Sequence, residues 1–129
     1  MFKITVNTNS KREVLDITDK INDQIGKAGV TDGVCNIFVT HTTTALTTAD
    51  LDPGTDQDYL VAFEKIVPQL NYKHPHDPSH MPDHILSSLI GTSLTLPVGN
   101  GQLVLGTWQR VILIEFDGSR ERQIVLNFI

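Results

Sequence analysis

The chain has 129 residues, 40% hydrophobic and 19% charged, the balance of one globular domain with a core of its own. Ten basic against fifteen acidic residues leave a net charge of −5 with no stripe of Lys and Arg, which argues against nucleic acid as a partner. No apolar run approaches the roughly 20 residues needed to span a bilayer, so no membrane role is expected.

The opening "FKITVNT" alternates with period 2 and sets Phe2, Ile4 and Val6 on one face of a first strand. Basic residues follow this stretch, the reverse of a secretory leader, and a cytoplasmic location is expected. "EVLDI" reads as a second strand. "TDKINDQIGKAG" reads as a helix with Thr18 as N-cap, Ile21 and Ile25 four apart, and a closing glycine. "GVCNIFVTH" is β-branched and bounded by glycine, hence a buried strand. Its lone Cys35 acts as a small hydrophobe, allows no intramolecular disulfide and suits a reducing compartment. "TTTALTT" is expected to pair beside that strand.

"ADLDPGTDQDYLVAFEKIVPQL" places Leu60, Phe63 and Val67 at helical spacing, and Thr55 with Asp58 resembles a capping box. Pro68 ends that helix, and a histidine-rich loop follows. "PDHILSSLIG" is a short helix with Pro82 in its first turn and Gly91 at its end. The last third, "TSLTLPV", "GNG", "QLVLGTWQRVILIEF", "DGS" and "ERQIVLNFI", reads as an antiparallel meander, with a bulge or close backbone approach at Gly106. The expected class is α+β: a single domain over residues 1–129, mainly antiparallel sheets with about three helices.

Four of the five histidines, His74, His76, His80 and His84, crowd into "NYKHPHDPSHMPDHILSSLIG". Neutral imidazole is a strong zinc ligand, and a catalytic site typically uses three protein ligands with one position open. His80 and His84 stand four apart, yet Pro82 starts the helix near residue 81 and leaves His80 at the cap. His74 and His76 flank Pro75 and point opposite ways in extended chain, so at most one faces a shared ion. The plain alternative is a solvated loop with His84 capping a short helix. His41, where a buried strand runs out, is either hydrogen-bonded structure or a ligand.

Asp50, Asp52, Asp56 and Asp58 either charge the N-terminus of the following helix or, at Asp50 or Asp52, bind a cation or act as a general base. Thr42, Thr43 and Thr44 are strand surface or hydroxyl donors to a phosphate. In "GTWQR", Trp108 packs in the core by default, and Gln109 points to the opposite face, so one of the two lines a cleft or interface.

"VTHTTTALT", "HMPDHILSSLIGTSLTLPV" and "GQLVLGTWQRVILIEFDG", in this order and spacing, resemble the YjbQ-like family from residue 3 to the C-terminus. The resemblance implies a compact YjbQ-like α+β fold, assembly as a homotrimer, and a cleft near the subunit interface. It also implies secondary thiamine-phosphate synthase activity, joining a hydroxymethylpyrimidine diphosphate to a thiazole phosphate with release of diphosphate. His41, His74 and His84 match the family's histidines and are the expected ligands of a divalent metal, zinc or magnesium. His80 is a further ligand, a donor behind the ligands, or uninvolved. Asp50, Asp52 and Gln109 are expected to be catalytic, and Thr42, Thr43, Thr107, Trp108 and Arg110 to bind a small phosphorylated substrate. The chain departs from many relatives in reading Asp50-Leu51 for a Glu-Asn pair and His80 for an Asp. Of the basic residues, only Arg110 and Lys73 lie near the motifs. A metal-dependent hydrolase and a non-catalytic metal-binding trimer are the alternatives.

Overall fold

Two antiparallel sheets share one core in the computed structural model, which describes residues 1–129. The larger sheet runs β1 (Phe2–Asn7), β8 (Glu121–Phe128), β3 (Gly33–Val39), β5 (Ser93–Gly99), β6 (Gln102–Leu103). The smaller runs β2 (Glu13–Asp16), β7 (Arg110–Glu115), β4 (Thr44–Ala49). Three α-helices complete the α+β fold: α1 (Thr18–Ala28), α2 (Thr55–Ile66) and α3 (Met81–Ile90).

Alternation explains the layers. Val6, Ile37, Ile124 and Leu126 of the larger sheet meet Leu46, Val111 and Leu113 of the smaller one, and Ile21 and Ile25 of α1 join them. The alternate residues of β7, and Phe116 just after it, turn the other way. Ile112, Ile114 and Phe116 pack with Ala45, Val67 and Leu86, with Leu60 and Phe63 of α2 against that second core. β7 is therefore buried on both faces, which is why "VILI" reads as an unbroken apolar run. Each such side chain contributes roughly 1.5–3 kcal/mol of burial.

Four local expectations are corrected. β4 pairs with β7, Ala45 opposite Ile114, and not with β3. The C-terminal third is no meander, because the chain leaves the larger sheet after Leu103, enters the smaller at Arg110 and returns as β8 between β1 and β3. Thr18 is not an N-cap: its hydroxyl accepts the Val111 N–H at 2.8 Å, and Asp16 accepts the Thr18 N–H at 3.0 Å instead. No capping box opens α2, whose N-cap is Gly54 at φ 93°, a conformation glycine adopts without strain. The Thr55 hydroxyl instead donates to the Asp52 carbonyl at 2.7 Å.

Candidate functional site

The β3–β4 connection crosses between the sheets at one end of the sandwich, and the β7–β8 turn crosses back at the same end, since Thr44 lies opposite Glu115 and Val39 opposite Ile124. Leu86 of α3 packs with Ala45 of β4, which brings the histidine loop and the first turn of α3 to that end too. These segments enclose a cleft of about 470 Å³ lined by Thr40, His41, Thr42, Thr43, His74, His80, His84, Asp117, Arg120 and Arg122, with no apolar side chain.

Beneath it lies a buried ion pair. Glu115 is in phase with Val111 and Leu113, and Arg122 with Ile124 and Leu126, so both point between the sheets. Glu115 is 0% and Arg122 2% exposed. Glu115 accepts from Arg122 Nε at 2.8 Å and Nη2 at 2.5 Å, from the Thr8 hydroxyl at 2.8 Å and from the Asp117 N–H at 3.2 Å. Arg122 Nη2 also donates to the Thr43 hydroxyl at 2.8 Å, which ties the β3–β4 connection to β8. Arg120 donates from Nε to the Asp117 carbonyl at 2.8 Å and from Nη2 to its carboxylate at 3.0 Å. These bonds hold the two guanidinium groups in fixed orientations at the cleft.

Hydrogen bonds define the histidine rings. His84 donates Nδ1–H to the Thr42 carbonyl at 3.1 Å, because a carbonyl can only accept, so its neutral ring keeps a lone pair on Nε2. His74 stacks on His84, with centroids 5.0 Å apart and planes 17° from parallel. Its Nδ1 accepts the Asp77 N–H at 3.4 Å. His41 Nε2 accepts the Gln123 N–H at 2.9 Å. Burial first, then the Arg122 charge, hold the His41 pKa below its ordinary 6.5, so this ring is neutral at pH 7. His80 lies between two carboxylates, Asp77 at 3.2 Å and Asp117 at 3.9 Å. Asp77 is held below its ordinary 3.8, mainly by the hydroxyl and N–H of Ser79. His76 is exposed and outside the cleft.

The three-histidine metal set is not assembled in this arrangement. No three His, Cys, Asp or Glu side chains stand in a geometry that would hold an ion. His41 and His74 each commit a ring lone pair to a backbone N–H, and a shared ion would need both to be released. Only His84 Nε2 is free among the three. The lining offers guanidinium, imidazole and hydroxyl donors beside one carboxylate, Asp117.

Asp50, Asp52, Gln109, Thr107, Trp108 and Arg110 do not reach this cleft within one chain. They gather at the opposite end of β4 and β7, where Ala49 faces Arg110. Five strand steps separate the two ends, about 17 Å. There Asp16, Asp50, Leu51, Asp52, Thr107, Trp108 and Arg110 line a separate cleft of about 190 Å³. Arg110 is engaged by Asp16 at 2.6 Å and Asp19 at 3.2 Å. Gln109 closes a turn, accepting the Gly106 N–H at 3.0 Å and donating to the Thr48 hydroxyl at 3.1 Å. Gly106 thus starts a turn and not a strand bulge. Trp108 packs in no core: it is 70% exposed, because the chain is changing sheets there.

Arg120, Arg122, Asp117 and Glu115 were not among the expected site residues. The signal for them was present in phase: Arg122 alternates with Ile124 and Leu126 on a buried face, and a buried arginine requires a buried acid.

The model of the UPF0047 protein YjbQ-like family matches residues 2–129. The chain belongs to the YjbQ-like family. Among YjbQ-like relatives, a UPF0047 protein of Archaeoglobus fulgidus is 37% identical over 98% of both chains, and YugU of Bacillus subtilis is 33% identical over 98% of this chain and 96% of its own. A crystal structure of a YjbQ/UPF0047 protein from Clostridium acetobutylicum superposes with a TM-score of 0.90 at 35% identity, each chain fully covered. The crystal structure of a hypothetical protein from Aeropyrum pernix gives 0.91 at 32% identity over 99% of this chain and 96% of that one. The YjbQ-like fold expected from the motifs is thereby shown. No helix is long and apolar enough to cross a membrane.

Proposed function

We propose that the cleft holds the phosphate groups of a small phosphorylated molecule, and that the protein is a cytoplasmic enzyme of the secondary thiamine-phosphate synthase type. The observation that carries this reading is the wholly polar lining, in which Arg120 and Arg122 stand with His80, His84 and threonine hydroxyls. In that reaction the thiazole nitrogen lone pair bonds to the methylene carbon of the pyrimidine diphosphate. The C–O bond breaks, and its electron pair leaves with diphosphate. Charge grows on the leaving oxygens, so fixed donors aimed there lower the barrier. The Glu115–Arg122 and Asp117–Arg120 pairs are each neutral as a whole. The guanidinium groups therefore act as oriented donors, and burial holds His41 neutral beside them. Protonated at Nε2, His84 would donate to the departing oxygen while Thr42 fixes its ring.

A resident zinc or magnesium ion, implied by the family resemblance, carries no step here, since two of its three expected ligands are engaged elsewhere. A homotrimer belongs to the proposal for a specific reason. The expected residues split between two ends of one chain, and a neighbour's exposed Trp108 end placed over this cleft would reunite them. Light scattering giving a monomeric mass would remove that element. A hydrolase is the second reading, supported by the free His84 Nε2, which could equally take a proton from water.

The test is incubation with both precursors and measurement of released diphosphate, alongside a phosphoester panel. The expected result is release that falls about 100-fold or more in His84→Gln. No release from the wild-type protein, or release indifferent to His84, would sink the synthase reading. Phosphoester turnover alone would favour the hydrolase.

A further inference from the structure

The charged cleft does not end at His41. A second cavity of about 440 Å³ lies beyond it and shares Thr40, His41 and Thr42 as a common wall. Its other lining is Phe38, Val39, Ser87, Ser88, Gly91 and Thr92, with no carboxylate, Lys or Arg. The two compartments thus differ in kind. One presents two guanidinium groups, the Asp117 carboxylate and no apolar side chain; the other presents hydroxyls, an aromatic ring and no formal charge.

From this contrast we infer that the second compartment receives the organic part of the phosphorylated substrate, a flat uncharged ring whose phosphate reaches past His41 into the charged cleft. The inference rests on the phosphate reading above and adds the substrate's shape and the residues that select it.

Three observations support it. Phe38 points away from the core between the inward Ile37 and Val39, and is 42% exposed, so its ring is free to pack against a ligand. The walls are fixed before any ligand arrives: the Val39 N–H donates to the Thr92 carbonyl and the Leu46 N–H to the Gly91 carbonyl, both at 2.9 Å. Finally, α3 ends at Ile90 beside this compartment, and its C-terminal carbonyls are the negative end of the helix dipole. That end disfavours a phosphate there and suits an uncharged ring bearing N–H or O–H donors. At the seam, His41 Nε2 is held by Gln123, which leaves Nδ1–H as the one donor of that ring for a ligand atom.

The probes are inorganic phosphate and phenyl phosphate, titrated by calorimetry into wild-type, Ser88→Trp and Phe38→Ala proteins. Ser88 is exposed on α3, so the added indole fills the compartment without entering the core. The wild type should bind phenyl phosphate at least about tenfold tighter than phosphate, roughly 1.4 kcal/mol. Ser88→Trp should abolish that advantage and Phe38→Ala reduce it, while phosphate affinity stays unchanged in both. Circular dichroism and melting temperature verify that each variant is folded. Equal affinity for the two probes in the wild type, or an advantage surviving in folded Ser88→Trp, overturns the inference and leaves the phosphate reading standing. Failure of both probes to bind overturns both.

Discussion

Removing Glu115 should expose how much the cleft depends on the ion pair beneath it. Glu115→Ala leaves Arg122 a cation only 2% exposed with no counter-charge, and strips an acceptor from the Thr8 hydroxyl and the Asp117 N–H. Breaking a buried pair by deleting one partner costs about 3–5 kcal/mol. An orphaned buried donor adds roughly 1–3 kcal/mol, and the two terms overlap because they share one carboxylate. The total rivals the whole stability of an ordinary domain, about 5–15 kcal/mol. Replacing both partners, as Glu115→Leu with Arg122→Met, removes the charge and its need together, and should recover most of the loss. Urea unfolding followed by circular dichroism reads the midpoints, with equal slopes required for comparison. A loss below about 1 kcal/mol in Glu115→Ala would refute the reasoning. So would a double variant no more stable than the single one.

His41→Gln keeps an acceptor for the Gln123 N–H but cannot titrate. Because burial lowers the folded pKa of His41 below 6.5, its stabilising contribution is complete above that value and lost as pH falls through the lowered one. The wild type should therefore lose more stability than His41→Gln between pH 7 and 5; parallel pH profiles would contradict this. Gly118→Ala would drive a Cβ into the Ser10 carbonyl and within 2.9 Å of Thr8 Oγ1 and Glu115 Cγ, lowering stability by about 1–3 kcal/mol. An unchanged melting temperature would mean that the turn has room after all. Zinc titrated into metal-free protein should bind no less well in His41→Gln than in the wild type, because that ring nitrogen is already engaged. Loss of stoichiometric zinc in both His41→Ala and His84→Ala would restore the three-histidine site.

Periodicity made the elements legible but not their partners. "FKITVNT" and "ERQIVLNFI" announce strands with one buried face, and the structure pairs them, Ile4 opposite Ile124. "VILI" announces only burial. Nothing in an unbroken apolar run says that it lies between two cores, so the sheet change at Trp108 and the pairing of β7 with β4 were hidden. The same gap governs the site. The histidines were visible by type, and His41 does share a cleft with His74, His80 and His84. The placement of Asp50 and Gln109 about 17 Å away follows from the length of β4, a fact of topology that side-chain chemistry does not announce. Arg120 and Arg122 looked like scattered surface charge in "SRERQ" until the phase of Arg122 with Ile124 is taken seriously.

Binding of diphosphate tests the central claim most directly. Calorimetric titration of diphosphate into the wild-type and Arg120→Ala proteins at pH 7 gives both affinities. Saturable binding is expected, because the guanidinium groups of Arg120 and Arg122 are held at the cleft beside His80, His84 and threonine hydroxyls. Arg120→Ala should weaken it about tenfold or more. No binding, or binding indifferent to Arg120, would contradict this reading.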